Sequence, residues 1–279
     1  MSNVTGETLS KEASSSRKRS SQQVYVAAFG GIGAAIYYLL LWLPGVPVPG
    51  IPQITMEIGA IFTPLLGIIL GPYIGATAVL IGNILKSLYP FNIVSLVFVP
   101  CAPLSAFTAA MLIRKRWVGT FIILAAILIA GMYTPPFYPL TGFDSKLGMA
   151  HWHVYLLAYY DKIAALVLLP IAVYMLGSPS VFRKRVGLFL VMFIGREMDK
   201  ALGCLLFSLP MVYEGVFGLK DLSVVRGLYV VPALFSPAEY VVEALVAFLV
   251  AIPVIKSLLK VPGISESLYV KNVREQEIL

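Results

Sequence analysis

Nine ionisable side chains lie inside long apolar stretches of the sequence, where a charge is costly to bury. A charge in such a place pairs with a neighbour, lines a polar cavity or takes part in binding, so each of these residues is a functional candidate. The set holds more acids than bases: Glu57, Asp161, Lys162, Arg196, Glu197, Asp199, Lys200, Glu239 and Glu243.

The densest group of these residues lies on one predicted helix. Arg196, Asp199 and Lys200 fall on one side of that helix, and Glu197 lies at the margin of the same side. Two pairs at three-residue spacing can form there, Arg196 with Asp199 and Glu197 with Lys200. A further pair, Asp161 with Lys162, is predicted on the preceding segment.

Three acids remain after this pairing. Glu57 stands in the first turn of a segment, where the helix dipole favours an anion, and Glu239 can complete a helix cap. Glu243 lies one turn beyond Glu239 and has no such explanation. We therefore predict a substrate-binding pocket, with a purely structural ion-pair cluster as the alternative. Its candidate residues are Glu57, Arg196, Glu197, Asp199, Lys200, Glu239, Tyr240 and Glu243.

The sequence lacks the motifs that usually carry enzyme chemistry. It has no phosphate-binding loop, no GxSxG, no HExxH and no aspartate-rich prenyl-binding motif. Cys101 and Cys204 stand in apolar runs and are interpreted as packing residues, and His151 and His153 as part of an interfacial cluster around Trp152. We expect no catalytic residue, no metal, no cofactor and no ATP hydrolysis by the chain alone.

Small residues recur at every fourth position near the start of the first apolar segment. Ala27, Gly31 and Ala35 form a smooth face that another helix can approach closely. The face predicts either docking of a partner helix or packing against a segment of the same chain.

The elements that hold these residues are predicted to be membrane helices. Of 279 residues, 59% are hydrophobic and 13% are charged, whereas soluble domains have about 45–50% and about 25%. We predict an all-α polytopic bundle of about eight transmembrane helices and no β-barrel. The predicted segments are 24–43, 55–70, 73–88, 92–113, 117–134, 152–176, 186–213 and 237–255.

The basic residues predict how the bundle is oriented. If the N-terminus is inside, the clusters at 17–19, 114–116 and 183–185 all lie on the inner side, which fits the positive-inside rule. This predicts a multi-pass protein of the cell membrane with both termini in the cytoplasm. Residues 1–23 and 261–279 are predicted cytoplasmic tails, the first disordered, around a transmembrane domain at 24–260. The basic residues of the inner loops then explain the net charge of +7, and binding to nucleic acid is not required.

Two local signals concern the outer side of the bundle. The proline-rich loop 44–54 is either a lid over an outward-facing pocket or a plain connector. Ser236, Pro237 and Glu239 form a predicted capping box, with serine as the cap, so that residues 229–235 become a lead-in to the last helix.

The run QITMEIGAIFTPLLGIILGPYIGATAVLIGNIL at 53–85, together with the small residues of segment 1, resembles the substrate-binding subunits (S components) of energy-coupling factor transporters. The resemblance implies that Ala27, Gly31 and Ala35 dock on a transmembrane coupling subunit, that loop 44–54 gates the site and that the last two helices line it. The family usually has six helices. We therefore expect a six-helix core plus an extra pair, either segments 5 and 6 or segments 7 and 8.

The function implied by this resemblance is capture of a vitamin or related small solute. The chain would work in a lipid membrane with a transmembrane coupling subunit and ABC-type ATPases. The excess of acids suggests a cationic or amine-bearing solute, although Arg196 and Lys200 could bind a carboxylate or phosphate. The alternatives are a self-sufficient secondary transporter, with Glu243 as its titrating acid, and a membrane enzyme or structural membrane subunit.

Overall fold

A computed structural model of the protein describes residue 24 and residues 27–48 and 51–261. The described chain is mostly helical. Its α-helices are α1 (Ala27–Leu40), α2 (Thr63–Leu70), α3 (Pro72–Leu88), α4 (Ile93–Val97), α5 (Cys101–Ile113), α6 (Trp117–Met132), α7 (His151–Leu176), α8 (Val181–Phe207), α9 (Pro210–Tyr213), α10 (Leu222–Ala233) and α11 (Ser236–Leu259). The predicted all-α class is confirmed.

Two short antiparallel hairpins interrupt the helices. Strands β1 (Val46–Val48) and β2 (Ile51–Met56) pair after α1, and β3 (Phe143–Asp144) and β4 (Met149–Ala150) pair between α6 and α7. Both hairpins connect helices.

Three stretches of the described chain are both long enough and apolar enough to cross a membrane. They are Ile93–Ile113, which combines α4 and α5, His151–Leu176 and Ser236–Leu259. Shorter apolar helices accompany them, among them Ala27–Leu40 and Trp117–Met132. Length and composition therefore favour a helical membrane protein.

Two predicted boundaries were wrong. The start of segment 55–70 is strand β2 and then a 3-10 helix (Ile58–Phe62), since this part of the chain returns from the hairpin before it enters the bundle. Segment 186–213 breaks after Phe207, because Pro210 cannot continue the backbone ladder of α8 and begins α9 instead. Residues 229–235 precede α11, as predicted, and 229–233 form the end of α10.

The predicted capping box at the start of α11 is also wrong. The helix begins at Ser236, and no side chain caps it. The Ser236 hydroxyl lies instead 3.4 Å from the Asp161 carboxylate of α7, to which it donates a hydrogen bond. A buried acid on a neighbouring helix thus takes the serine that the sequence pattern assigned to the cap.

Helix α8 is the centre of the bundle and packs against α2, α5, α6, α7 and α11. Small residues allow the closest approaches around it. A Cβ atom at Gly195 would lie 3.1 Å from Pro64 Cγ on α2, and one at Gly187 would lie 3.0 Å from the Leu176 backbone nitrogen on α7. Gly71, with φ of 89°, makes the tight turn that folds α3 back on α2.

The closest approach of all joins α2 to α5. A Cβ atom at Gly67 would collide with the carbonyl oxygen of Ala106, a backbone atom that cannot move aside alone. We expect Gly67→Ala to lower the free energy of unfolding by about 1–3 kcal/mol, the usual cost of overpacking a core. Thermal unfolding of the detergent-purified protein measures this.

The matched control is Gly119→Ala on α6. No described atom lies within 4 Å of a Cβ atom at that position, so its unfolding temperature should stay near that of the wild type. Equal unfolding temperatures for the two variants would contradict the described contact between α2 and α5.

Candidate functional site

The Arg196 side chain on α8 ties three elements together in the interior. Its Nε donates to the Glu243 carboxylate on α11 at 2.9 Å, and its Nη1 donates to the Ala60 carbonyl oxygen at 3.0 Å and to Asp199. The residue is only 2% exposed, so these acceptors replace the water that the guanidinium loses. The predicted Arg196–Asp199 pair is therefore present, and Glu243 joins it.

A cavity of about 300 Å³ lies beside this guanidinium. Its wall runs from the fully buried Tyr37 to the exposed Asn92 and Phe235, so the cavity reaches the protein surface at that end. This volume is at the small end of the range for small-molecule sites, about 300–1,000 Å³.

The structure brings most of the predicted site residues to this cavity. Six of the eight line its wall: Glu57, Arg196, Asp199, Lys200, Glu239 and Tyr240. The lining comes mainly from the ends of α3, α7, α8 and α11 that a cytoplasmic N-terminus would place on the outer side. Helices α8 and α11, which correspond to predicted segments 7 and 8, thus provide five of the six.

Two ammonium groups face the ring of Tyr240 on this wall. Lys200 Nζ lies 5.0 Å and Lys162 Nζ 5.3 Å from the ring centroid, both within cation–π range. Lys162 is also 2.8 Å from the Asp161 carboxylate, which confirms that predicted pair. Lys200 lies 3.9 Å from Glu239, a looser contact than the pair of Lys162 and Asp161.

Glu197 and Glu243 lie outside the cavity wall. Glu243 is held by Arg196, as described above, and supports the wall from behind. Glu197 is fully buried, and its two carboxyl oxygens have no hydrogen-bond partner in the described part of the chain. The predicted Glu197–Lys200 pair is therefore wrong, because Lys200 turns towards Glu239 and Tyr240 on the cavity side of α8.

Several lining residues were not predicted as site residues. Lys162 was assigned only an ion pair, and Cys101 and Cys204 only packing roles, yet all three line the cavity. A polar edge adds Asn83, Lys86 and Ser87 from α3. The sequence offered one signal for that edge: polar residues at four-residue spacing, 83 and 87, in an otherwise apolar segment.

Helix α10 and Phe235 close one side of the cavity, and the connection between α6 and α7 anchors this helix. Arg226 donates to the Pro136 carbonyl oxygen at 2.7 Å and to the Asp144 carboxylate at 2.9 Å. Lys146 forms a second, exposed ion pair with Asp221, at 2.6 Å. These contacts fix the position of Tyr229, which lines the cavity from α10.

The Asp144 carboxyl lies in the connection between α6 and α7. Desolvation alone would raise its pKa, but hydrogen bonds from Arg226, from Ser223 and from two backbone amides outweigh it. Together they lower the pKa of Asp144 from its ordinary value of 3.8 to about 2. The pKa of Asp221 is also lowered, chiefly by its hydrogen bond from Lys146.

The stripe of small residues on α1 faces away from the bundle. Ala27, Gly31 and Ala35 are all exposed, and no described atom lies within 4 Å of a Cβ atom at Gly31. Gly33 points inward instead, where a Cβ atom would lie 2.6 Å from Leu70. Packing of the stripe against another described segment of the chain is therefore ruled out.

Parts of three predictions lie outside the described residues. They are most of the tails at 1–23 and 261–279, and positions 49 and 50 of loop 44–54, whose proposed lid role stays a prediction. Within the described residues, no group of three or more His, Cys, Asp and Glu side chains could hold a metal ion. The cavity wall carries aromatic rings, ammonium groups, carboxylates and amides, which suit non-covalent binding.

Comparison with known protein families, with curated proteins and with solved structures finds no match for this chain.

The Arg196–Glu243 pair generates a prediction on stability. We expect Glu243→Gln to lower the free energy of unfolding by about 2–5 kcal/mol, because it leaves a buried guanidinium short of one counter-charge. Glu239→Gln is the control, since its carboxylate is 29% exposed and only loosely paired. Thermal unfolding of both variants measures the loss of stability. Equal losses in the two variants would contradict a supporting role for Glu243.

The Asp144 carboxylate generates a prediction on pH dependence. Its pKa is lower in the folded than in the unfolded chain, so its stabilising effect is complete above pH of about 4 and disappears as the pH falls towards 2. We expect Asp144→Asn to reduce the unfolding temperature by about 2–5 °C at neutral pH. That difference should shrink between pH of about 4 and 2.

The control for this variant is Asp221→Asn, which removes an exposed ion pair and should change the unfolding temperature less. If the wild type and Asp144→Asn differ by the same amount across the whole pH range, the Asp144 carboxylate does not provide the stabilisation.

Proposed function

We propose that this chain captures a small solute in the cavity beside Arg196 and Tyr240 and presents it for transport across a membrane. The observation that carries this proposal is the convergence of six predicted site residues on one cavity that reaches the surface. Solute-binding sites combine apolar walls with a few placed polar groups, and this wall has both.

The proposed setting is the cell membrane, with about eight spanning helices and both termini in the cytoplasm. Under this orientation the cavity lies in the outer half of the bundle, because its lining comes from the outer ends of the helices. The inner loops then carry basic residues at 114–116 and 183–185. A solute would enter from outside.

The chain is proposed to act as a capture subunit and not as a complete pump. Its sequence has no nucleotide-binding motif, so ATP-driven transport requires partners: a transmembrane coupling subunit and ABC-type ATPases. The exposed stripe of Ala27, Gly31 and Ala35 supports docking of such a subunit, because it offers a smooth face with no described neighbour.

A secondary transporter that works alone is the second candidate. Glu197 favours it, because it is fully buried with no hydrogen-bond partner among the described residues, and proton coupling needs a titrating acid within the membrane. Glu243, the acid first considered for this task, is engaged with Arg196. Uptake by vesicles containing this chain alone, without ATP, would favour this candidate over the capture subunit.

The first test is mass spectrometry of small molecules retained by the detergent-purified protein. Gly203 lines the cavity, and a Cβ atom there would meet only Cys101 Sγ, at 4.0 Å, so Gly203→Phe should fill the cavity and still fold. We expect a retained solute in the wild type and at least a tenfold loss in this variant, about 1.4 kcal/mol of binding free energy.

Gly119→Phe is the matched control, because it adds the same side chain at an open position on α6. This control should retain the solute. Equal retention by all three proteins would show that any retained molecule binds outside the cavity.

Docking through α1 gives a second prediction. We expect Gly31→Leu to abolish co-purification of ATPase activity with the tagged chain from native membranes, because the side chain would hold a partner helix away. Solute retention should be unchanged. Gly119→Leu controls for a bulky residue on an exposed face, and co-purification that survives Gly31→Leu would reject docking on this stripe.

A further inference from the structure

Glu197 has the only carboxyl group in the described interior whose buried oxygens lack a hydrogen-bond partner. It is fully buried on α8, and neither of its oxygens has a hydrogen-bond partner in the described chain. Four nearby carboxylates each have a cationic neighbour within 4.0 Å: those of Asp161, Asp199, Glu239 and Glu243. A buried polar group without a partner calls for a functional or chemical explanation.

The charged and titratable groups that interact electrostatically with Glu197 come from three helices. Its own helix adds two cations and a thiol, α7 adds an ion pair, and α11 adds a phenol. These groups are Arg196, Lys200, Cys204, Asp161, Lys162 and Tyr240. Helices α2, α5 and α6, which also pack against α8, carry no Asp, Glu, Lys, Arg or His.

The cations in this set are already committed to other carboxylates. Lys162 is bound to Asp161, Arg196 to Asp199 and Glu243, and Lys200 faces Glu239. Four carboxylates therefore share three cations before Glu197 is counted. An ionised Glu197 would be a fifth negative charge with no donor, which is far more costly to bury than the neutral acid.

We propose that Glu197 is a proton-binding site placed just behind the cavity wall. The proton comes from bulk water and resides on one carboxyl oxygen, so that the buried group is a neutral acid at neutral pH. Arg196 and Lys200 both act on Glu197 and line the cavity, and they connect the site to the cavity electrostatically. A cation entering the cavity would favour release of the proton, and an anion would favour its uptake.

The proton site can be tested without a solute, whereas its electrostatic connection to the cavity rests on the proposed solute capture. Infrared spectroscopy tests the site without any solute, because a protonated carboxyl absorbs at a different frequency from a carboxylate. At neutral pH we expect the wild type to show a protonated-carboxyl band that is lost in Glu197→Gln, a variant with nearly the shape of the neutral acid.

Glu214→Gln is the matched control, since Glu214 is exposed in an outer loop and should contribute no such band. A band unchanged by Glu197→Gln, or no band in the wild type, overturns the proposal. If Glu197→Gln fails to fold, ¹³C-labelled glutamate in the wild type shows whether the absorption belongs to a glutamate, and a lack of isotope shift overturns the proposal equally.

A separate measurement, solute retention, tests the electrostatic connection between Glu197 and the cavity. The molecule retained by the purified wild type should be held with a pH dependence that Glu197→Gln loses. If both proteins show the same pH dependence, the connection is rejected. If no molecule is retained by the wild type, the proposed capture function fails, while the infrared result still decides on the proton site.

Discussion

The hydrogen bonds of one buried guanidinium determine how the interior of this protein is arranged. Arg196 joins the central helix α8 to α11 through Glu243 and to the 3-10 helix before α2 through the Ala60 carbonyl oxygen. A charge so deeply buried is tolerated only when acceptors surround it, so these three elements must meet at Arg196. Their meeting point is one wall of the cavity, and a cavity with fixed polar groups is what binding requires.

Much of the architecture follows from the lengths of the apolar segments and from the helix-breaking residues between them. Gly71 and Pro72 predict the turn between α2 and α3, and the structure has that turn. The start of α11 was not predictable in the same way, because the serine of its capping motif contacts Asp161 on α7. Local patterns predict local hydrogen bonds, and they fail where a distant residue offers a better partner.

The same distinction explains the candidate site. Arg196 and Asp199 pair within one helix, so their spacing predicted the contact, whereas the Arg196–Glu243 bond joins residues on two helices and depends on how these pack. Lys200 had a local partner in Glu197 but turns towards Glu239 and Tyr240. The sequence could thus name most of the charged residues of the cavity wall without predicting which of them would neutralise each other.

The central claim is that these paired charges border a cavity open to the outer side of the membrane. The native thiol of Cys204 lines that cavity and is partly exposed, while Cys101 is buried. The most direct measurement is modification of Cys204 by a membrane-impermeant thiol reagent, in a Cys101→Ala background. We predict modification in right-side-out vesicles and none in inside-out vesicles; modification from the inner side alone, or from neither side, would contradict the account.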